Sequence, residues 1–300
     1  MRRATSVREM IMRKRLLSAL AVVAVMAVGV VPAAAITWGT LDTTEEYPAV
    51  GAIMIDWRTL GVPEFGLGVF CSGTLIHPSV FLTAGHCAEG LVDDGLTDAG
   101  GFPIGDPDVW VSFDEDPSDF NPPPSKTRCD TCLDIVQVVN SPLYSWGPTS
   151  DPHDIAAIIL AEPVAGIEPM AYATLGELED LRNPKGRRNG PNRERFTVAG
   201  YGGSFVDAPP FDIEYLDHRQ YAESAFQGLL DAWLRVSQNQ ARGDEGTCFG
   251  DSGGPILRDD TVVGVTSWGD AICAAMGFYY RVDTAESLSF IDDVIASVEG

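Results

Sequence analysis

Near its C-terminal end the chain reads Gly250-Asp251-Ser252-Gly253-Gly254-Pro255. A serine hydroxyl is a weak nucleophile until a neighbouring base takes its proton. Acyl transfer also needs N–H donors aimed at the oxygen that becomes negative. Glycines around Ser252 let the backbone turn tightly and approach a substrate closely. The Gly-x-Ser-x-Gly core also fits the nucleophile elbow of another hydrolase fold, in which the catalytic histidine follows the serine. The only histidines are His77, His86, His153 and His218, and none follows Ser252. The base therefore lies upstream.

His86 stands in Thr83-Ala84-Gly85-His86-Cys87, directly after an apolar run, and a bridge from Cys87 to Cys71 would pin the loop that carries the imidazole. Its rivals read as bland: His77 precedes Pro78 in a turn, His218 lies among polar residues, and His153 adjoins a carboxylate without any pinning feature. A third group must orient the imidazole and stabilise its cationic form. Asp154 opens the apolar stretch Asp154-Ile155-Ala156-Ala157-Ile158-Ile159-Leu160, and a carboxylate there is costly to bury without a partner. Asp151, in a Pro-bounded turn, reads as solvated.

The elements that must hold these groups are short. Val50–Asp56, Thr74–Ile76, Val80–Thr83, Val109–Ser112, Ile135–Val139, Ile155–Leu160, Phe196–Val198 and Val262–Val265 read as strands separated by Gly, Pro and Asp turn signals, a pattern of barrels or sandwiches. Asp93–Asp108 and Asp114–Lys126 read as surface loops, Gln220–Val236 as a short helix or an inserted loop, and Ala285–Val298 as a C-terminal helix packed on the body.

Arg13-Lys14-Arg15, a charge-free run from Leu16 to Val31 and Pro32-Ala33-Ala34-Ala35 have the layout of a secretory signal peptide. The run is shorter than the roughly 20 residues of a spanning helix, so residues 1–35 are expected to be removed and the product to be extracellular, with no membrane partner. Residues 36–300 then form one domain. The whole chain has 20 basic and 43 acidic side chains and a formal charge of −23, which disfavours nucleic acid as a partner. Six cysteines behind an export signal read as disulfides. Cys129-Asp130-Thr131-Cys132 is expected to be a structural clip, since no second such pair or histidine cluster supports a metal site. No metal or cofactor is expected.

Ser-Gly-Thr-Leu-Ile before Thr-Ala-Gly-His-Cys, then Asp154-Ile155, then Gly-Asp-Ser-Gly-Gly-Pro, then Ser267-Trp268-Gly269, resembles the chymotrypsin/trypsin family of serine peptidases over about residues 36–283. The order His, Asp, Ser agrees, and the member it suggests is a secreted one of bacterial type. The resemblance implies an all-β fold of two six-stranded antiparallel β-barrels with the active site between them, followed by the C-terminal α-helix. The first barrel would span about 36–170, the second about 171–284 and the helix about 285–298. It makes His86, Asp154 and Ser252 catalytic and the N–H groups of Gly250 and Ser252 the oxyanion hole. Ser267, Trp268 and Gly269 would pair with the substrate backbone, and Cys248–Cys273 would tie the nucleophile loop to the wall of the specificity pocket. Ile36, the first residue after the expected signal cleavage, would supply a new N-terminus that pairs with Asp251.

The family's pocket positions fall on a floor at Gly246, next to Thr247, and walls at Gly269 and Gly277. Small walls over an uncharged floor imply an apolar or aromatic residue before the scissile bond. Asp244 and Glu245 beside the floor leave a trypsin-like Arg/Lys preference as the alternative. The expected partners are protein or peptide substrates, cut by a monomer. A non-catalytic binding homologue and an esterase on the same scaffold are the competing functions.

Overall fold

The computed structural model describes residues 36–92, 108–119, 122–145, 150–182, 193–205, 213–214 and 217–300. The expected signal peptide and nearly all of the expected loop Asp93–Asp108 lie outside the described residues.

Six strands make the first sheet: β1 (Val50–Asp56), β2 (Leu67–His77), β3 (Val80–Thr83), β4 (Val109–Ser112), β5 (Ile135–Asn140) and β6 (Ala156–Leu160). They run antiparallel in the order β4-β1-β2-β3-β6-β5. A bridge from Val111 to Leu133 draws the two edges together and curls the sheet into a barrel. Every residue of β1, β3 and β6 is buried. These strands therefore read as unbroken apolar runs, with Phe81, Ile53, Leu75 and Ile158 among the side chains that fill the core.

The second sheet holds β7 (Arg195–Gly200), β8 (Gln220–Leu229), β9 (Trp233–Ser237), β10 (Pro255–Arg258), β11 (Thr261–Gly269) and β12 (Met276–Arg281). Its order is β8-β9-β12-β11-β10-β7, a long antiparallel pairing of β7 with β8 closes the barrel, and the two-residue strand Thr40–Leu41 also pairs with β8, so this sheet has seven described strands where six are expected. The two barrels of the expected architecture are thus both present.

One expectation fails. Gln220–Val236 is neither a helix nor an inserted loop but the hairpin β8–β9, closed by a Leu230 N–H to Trp233 carbonyl bond of 2.8 Å. Its Ala, Leu, Glu and Gln residues suit a helix in isolation. In place, β8 is sandwiched between β7 and β9 and alternates buried Gln220, Ala222 and Ser224 with more exposed Tyr221 and Glu223, and ladder pairing overrides propensity.

Two helices matter. Helix α1 (Gly85–Val92) follows β3 directly, and α2 (Ala285–Glu299) ends the chain. Thr284 caps α2 by accepting the Ser287 N–H at 3.3 Å. Buried Ser287, Phe290, Ile291 and Val294 sit at the i, i+3, i+4, i+7 spacing that puts one helix face on the body. Among the described residues no helix is long and apolar enough to cross a membrane. The six cysteines form three disulfides, Cys71–Cys87, Cys129–Cys132 and Cys248–Cys273.

Candidate active site

His86 is carried on the first turn of α1, held by the Cys71–Cys87 bridge at the next residue. Its backbone N–H donates to Asp154 Oδ1 at 2.8 Å, and its ring Nδ1 lies 3.0 Å from Oδ2 and 3.2 Å from Oδ1. A carboxylate can only accept, so Nδ1 carries the proton and the basic lone pair is on Nε2. Burial alone would raise the Asp154 carboxyl, but hydrogen bonds from His86 and Ser267 outweigh it and hold the group below its ordinary value.

Ser267 reaches that carboxylate because of a bulge. The β11–β12 register shifts between Thr266 and Trp268. Ser267, without a partner in the ladder, turns its hydroxyl to donate to Asp154 Oδ2. An extra residue in one strand commonly re-aims a side chain in this way. The sequence places Ser267 on the substrate-pairing strand and does not reveal this bond.

Ser252 lines the same cleft as His86 and Asp154, a cavity of about 970 Å3. The loop around it is fixed through its carbonyls. Phe249 O accepts the Gly203 N–H at 2.7 Å and Asp251 O accepts the Gly254 N–H at 2.9 Å. In a trans peptide the N–H points opposite to the C=O, so the N–H groups of Gly250 and Ser252 face away from those anchors, and neither donates a hydrogen bond among the described residues. Gly250 has φ +97°, and a Cβ there would lie 2.8 Å from Gly202 Cα. Only glycine satisfies both constraints.

A residue that sequence reasoning missed clamps this loop from the first barrel. Ser72, on β2, donates its N–H to Ser252 O at 2.8 Å and its hydroxyl to Gly250 O at 2.9 Å. The same hydroxyl accepts the Tyr201 N–H at 3.0 Å. Ser72 opens the Ser-Gly-Thr-Leu-Ile segment that carries part of the family resemblance, but the segment does not show what the side chain holds, because that role comes from where the two barrels meet.

Of the expected substrate-binding residues, Thr247, Ser267, Trp268 and Gly269 line the cleft, whereas Gly246 and Gly277 do not. Gln238 fills the space beside Gly246, and the Tyr279 ring backs Gly277, with Tyr279 Oη 2.9 Å from Thr247 Oγ1. Trp268 is half exposed and stacks on Phe278 at 3.6 Å between ring centroids. Asp244 is fully buried against Arg193 and Arg195, at 2.9 and 3.1 Å. Glu245 accepts the Glu223 N–H at 3.3 Å. Neither acid lines the cleft.

Asp251 is fully buried, and its carboxylate accepts the N–H groups of Gly202 and Cys248 at 2.7 and 2.8 Å. With no cation beside it among the described residues, burial pushes its carboxyl up to about 7. Ile36 is also buried, and in the intact chain its peptide N–H donates to Gln220 Oε1 at 3.2 Å. The rival histidines lie elsewhere: His77 Nδ1 accepts the Ser79 N–H, His153 contacts Asp151 and Tyr280, and His218 contacts Asp116. Among the described residues, the one cluster of metal-type donors is Cys71, His86 and Cys87. Its two sulfurs are consumed by their disulfide, so the set does not fit a metal.

Residues 125–288, more than half of the chain, match the family model described as Trypsin. A trypsin of the shark Squalus acanthias is 27% identical over 76% of this chain and 87% of its own length. The venom plasminogen activator Haly-PA of Gloydius brevicauda is 28% identical over 80% of this chain and 83% of its own. The structure of the mouse-brain serine protease neuropsin superposes with a TM-score of 0.57 at 20% identity, covering 87% of this chain and all of that one.

Proposed function

Since the chain belongs to the trypsin family of serine proteases, we propose that it is a secreted endopeptidase, monomeric, in which Ser252, His86 and Asp154 cut peptide bonds through an acyl-enzyme. The observation that carries this reading is the Asp154 carboxylate, buried and bonded three ways to His86 N–H, His86 Nδ1 and Ser267 Oγ, in one cleft with Ser252.

His86 Nε2 takes the Ser252 hydroxyl proton as Oγ attacks the substrate carbonyl carbon. Asp154 keeps the ring in the required tautomer and stabilises the imidazolium that forms. The carbonyl oxygen becomes an oxyanion and moves toward the N–H groups of Gly250 and Ser252. Collapse breaks the C–N bond, and the imidazolium passes its proton to the leaving amine. Water, deprotonated by His86, then attacks the acyl carbon and releases the acid with Ser252 restored. The backbone at Ser267–Gly269 adds the substrate as a strand.

The residue before the scissile bond is uncharged on this reading, because Asp244 and Glu245 are engaged elsewhere. That weighs against a trypsin-like Arg/Lys preference. Secretion follows from the layout of residues 1–35, and release at Ile36 would turn its peptide nitrogen into an ammonium able to pair with buried Asp251. The two relatives compared come from a shark and a snake, so the bacterial type rests on the sequence resemblance alone.

The test is treatment of the mature protein with a fluorophosphonate and a peptide library. An adduct on Ser252, with turnover abolished in Ser252→Ala, is the expected result. Peptide cleavage retained in that variant would refute the mechanism, and a folded protein that takes no label would favour the binding homologue. Sequencing the mature N-terminus tests the release point, which is expected at Ile36.

A further inference from the structure

Gln238 follows β9 and is 1% exposed. Its side chain runs through the place where the specificity pocket should be deepest. A Cβ built on Gly246 would lie 2.2 Å from Gln238 Cγ and 2.3 Å from Nε2, and one built on Gly269 would lie 3.5 Å from Oε1. The carboxamide therefore spans from the expected floor to the expected wall. Nε2 donates to Thr247 O at 2.6 Å, which fixes which end of the amide faces which side. Oε1, the end nearer Gly269, has no hydrogen-bond partner among the described residues. Thr247, Gly269 and Cys273 line the cleft, while Gly246, Gly277 and Gln238 itself do not, so Gln238 fills the volume behind Thr247 and Gly269.

We infer that the Gln238 carboxamide, packed behind Thr247 and Gly269, occupies the volume that Gly246 leaves at the base of the specificity pocket, and that it shortens the pocket so that a small aliphatic side chain is accepted and an aromatic one is not. The glycine at 246 and the glutamine at 238 are two halves of one volume exchange. Removing a Cβ from the floor opens space, and a long side chain from the neighbouring strand fills it. Small walls over an uncharged floor leave room for an aromatic residue only where no other side chain enters that volume. Close-packed interiors do not yield to an extra ring without displacing atoms. Here the atoms to displace are held by the bond to Thr247. The inference rests on the peptidase reading above and specifies which substrates that site takes.

The experiment compares kcat/KM of the mature enzyme on peptides that differ only before the scissile bond, with Ala, Val, Phe, Tyr or Arg there. The parent is expected to prefer Ala or Val over Phe by about tenfold or more, the range that pocket fit supplies. Gln238→Ala empties the floor and is expected to raise the Phe/Val ratio by about tenfold or more. Gln238→Met, of similar length and volume, is expected to keep the preference for Ala and Val. Fluorophosphonate titration counts competent sites in each variant, so a loss of folded enzyme is separated from a change in selectivity. A parent that prefers Phe or Tyr, or a Phe/Val ratio that Gln238→Ala leaves unchanged, overturns the inference alone. If Gln238→Ala does not fold, Gln238→Ser replaces it with the same expected rise in the Phe/Val ratio, and the absence of that rise overturns the inference. A parent that takes no label and cleaves none of the peptides overturns the peptidase reading, and this inference with it.

Discussion

Asp251 gives the intact chain a pH dependence that a single substitution should remove. Its carboxyl is pushed up to about 7 by complete burial without a cation, against an ordinary value of 3.8. The unfolded chain therefore releases this proton near pH 4, while the folded chain holds it until about pH 7. Between those limits the folded state binds more protons, so stability falls as pH rises. A difference of about three units at 1.36 kcal/mol each makes the loss about 4 kcal/mol across the window. Ser252→Ala prevents self-digestion and serves as the parent, with the Ala35–Ile36 bond intact. Ser252→Ala/Asp251→Asn cannot titrate at 251. It also loses one acceptor for the N–H of Gly202 or Cys248, a cost that does not depend on pH. Guanidinium unfolding at pH 4.5 and pH 8 should show the parent losing about 3 kcal/mol more than the Asn variant, since part of the window lies below pH 4.5. Equal losses in the two chains would refute the assignment. Chains starting at Ile36 should show the opposite trend, because an ammonium beside Asp251 lowers its carboxyl and the stability it adds is lost as pH falls.

Asp154→Asn should lower kcat by about 10^4 with little change in KM, because an amide can donate to Nδ1 and reverse the tautomer; steady-state kinetics on one peptide decides. Gly250→Ala places a methyl 2.8 Å from Gly202 Cα at φ +97°, so it should reduce kcat by about 10^2 to 10^3 through a displaced oxyanion donor and shift the denaturation midpoint downward. Ser72→Ala leaves Gly250 O and the Tyr201 N–H without a partner in a buried site, which should cost about 1–3 kcal/mol of stability. Its effect should fall on kcat more than on KM, since the groups it clamps meet the substrate only as the oxyanion forms.

Strands β1, β3 and β4 were legible to the residue, because continuous apolar runs bounded by Gly, Pro or Asp admit few other readings. The hairpin β8–β9 was not. Its composition suits a helix, and only pairing with β7 and β12 makes it a sheet. The same contrast holds in the site. His86, Asp154 and Ser252 announce themselves through local surroundings: a cysteine, an apolar strand, flanking glycines. Ser72 stands in the Ser-Gly-Thr-Leu-Ile segment, which gives no sign of what its hydroxyl holds, and Gln238 is an ordinary residue in an ordinary stretch. Ser72 becomes a clamp only when the barrels meet, 178 positions along the chain from the Gly250 carbonyl it holds. Gln238 acquires its place only once Gly246 is seen to leave a space beside it. Local motifs report what a residue can do chemically. They do not report which volumes other segments fill.

That distinction also accounts for how the labour is divided between the barrels. The first barrel supplies the base and its carboxylate, and both are bonded within that barrel except for the Ser267 hydroxyl. The second supplies the nucleophile loop, whose outward N–H groups depend on carbonyls anchored partly to Gly203 and Gly254 and partly, through Ser72, to the first barrel. Two serines, Ser72 and Ser267, carry such side-chain bonds across the cleft among the described residues. Each joins a catalytic group of one barrel to the scaffold of the other. A shift between the barrels would therefore stretch the Asp154 and Gly250 contacts together and spoil the base and the oxyanion donors at once. The pocket floor is different, because Gln238, Gly246, Thr247 and Gly269 all belong to the second barrel. Selectivity can be altered there without disturbing the alignment on which bond cleavage depends.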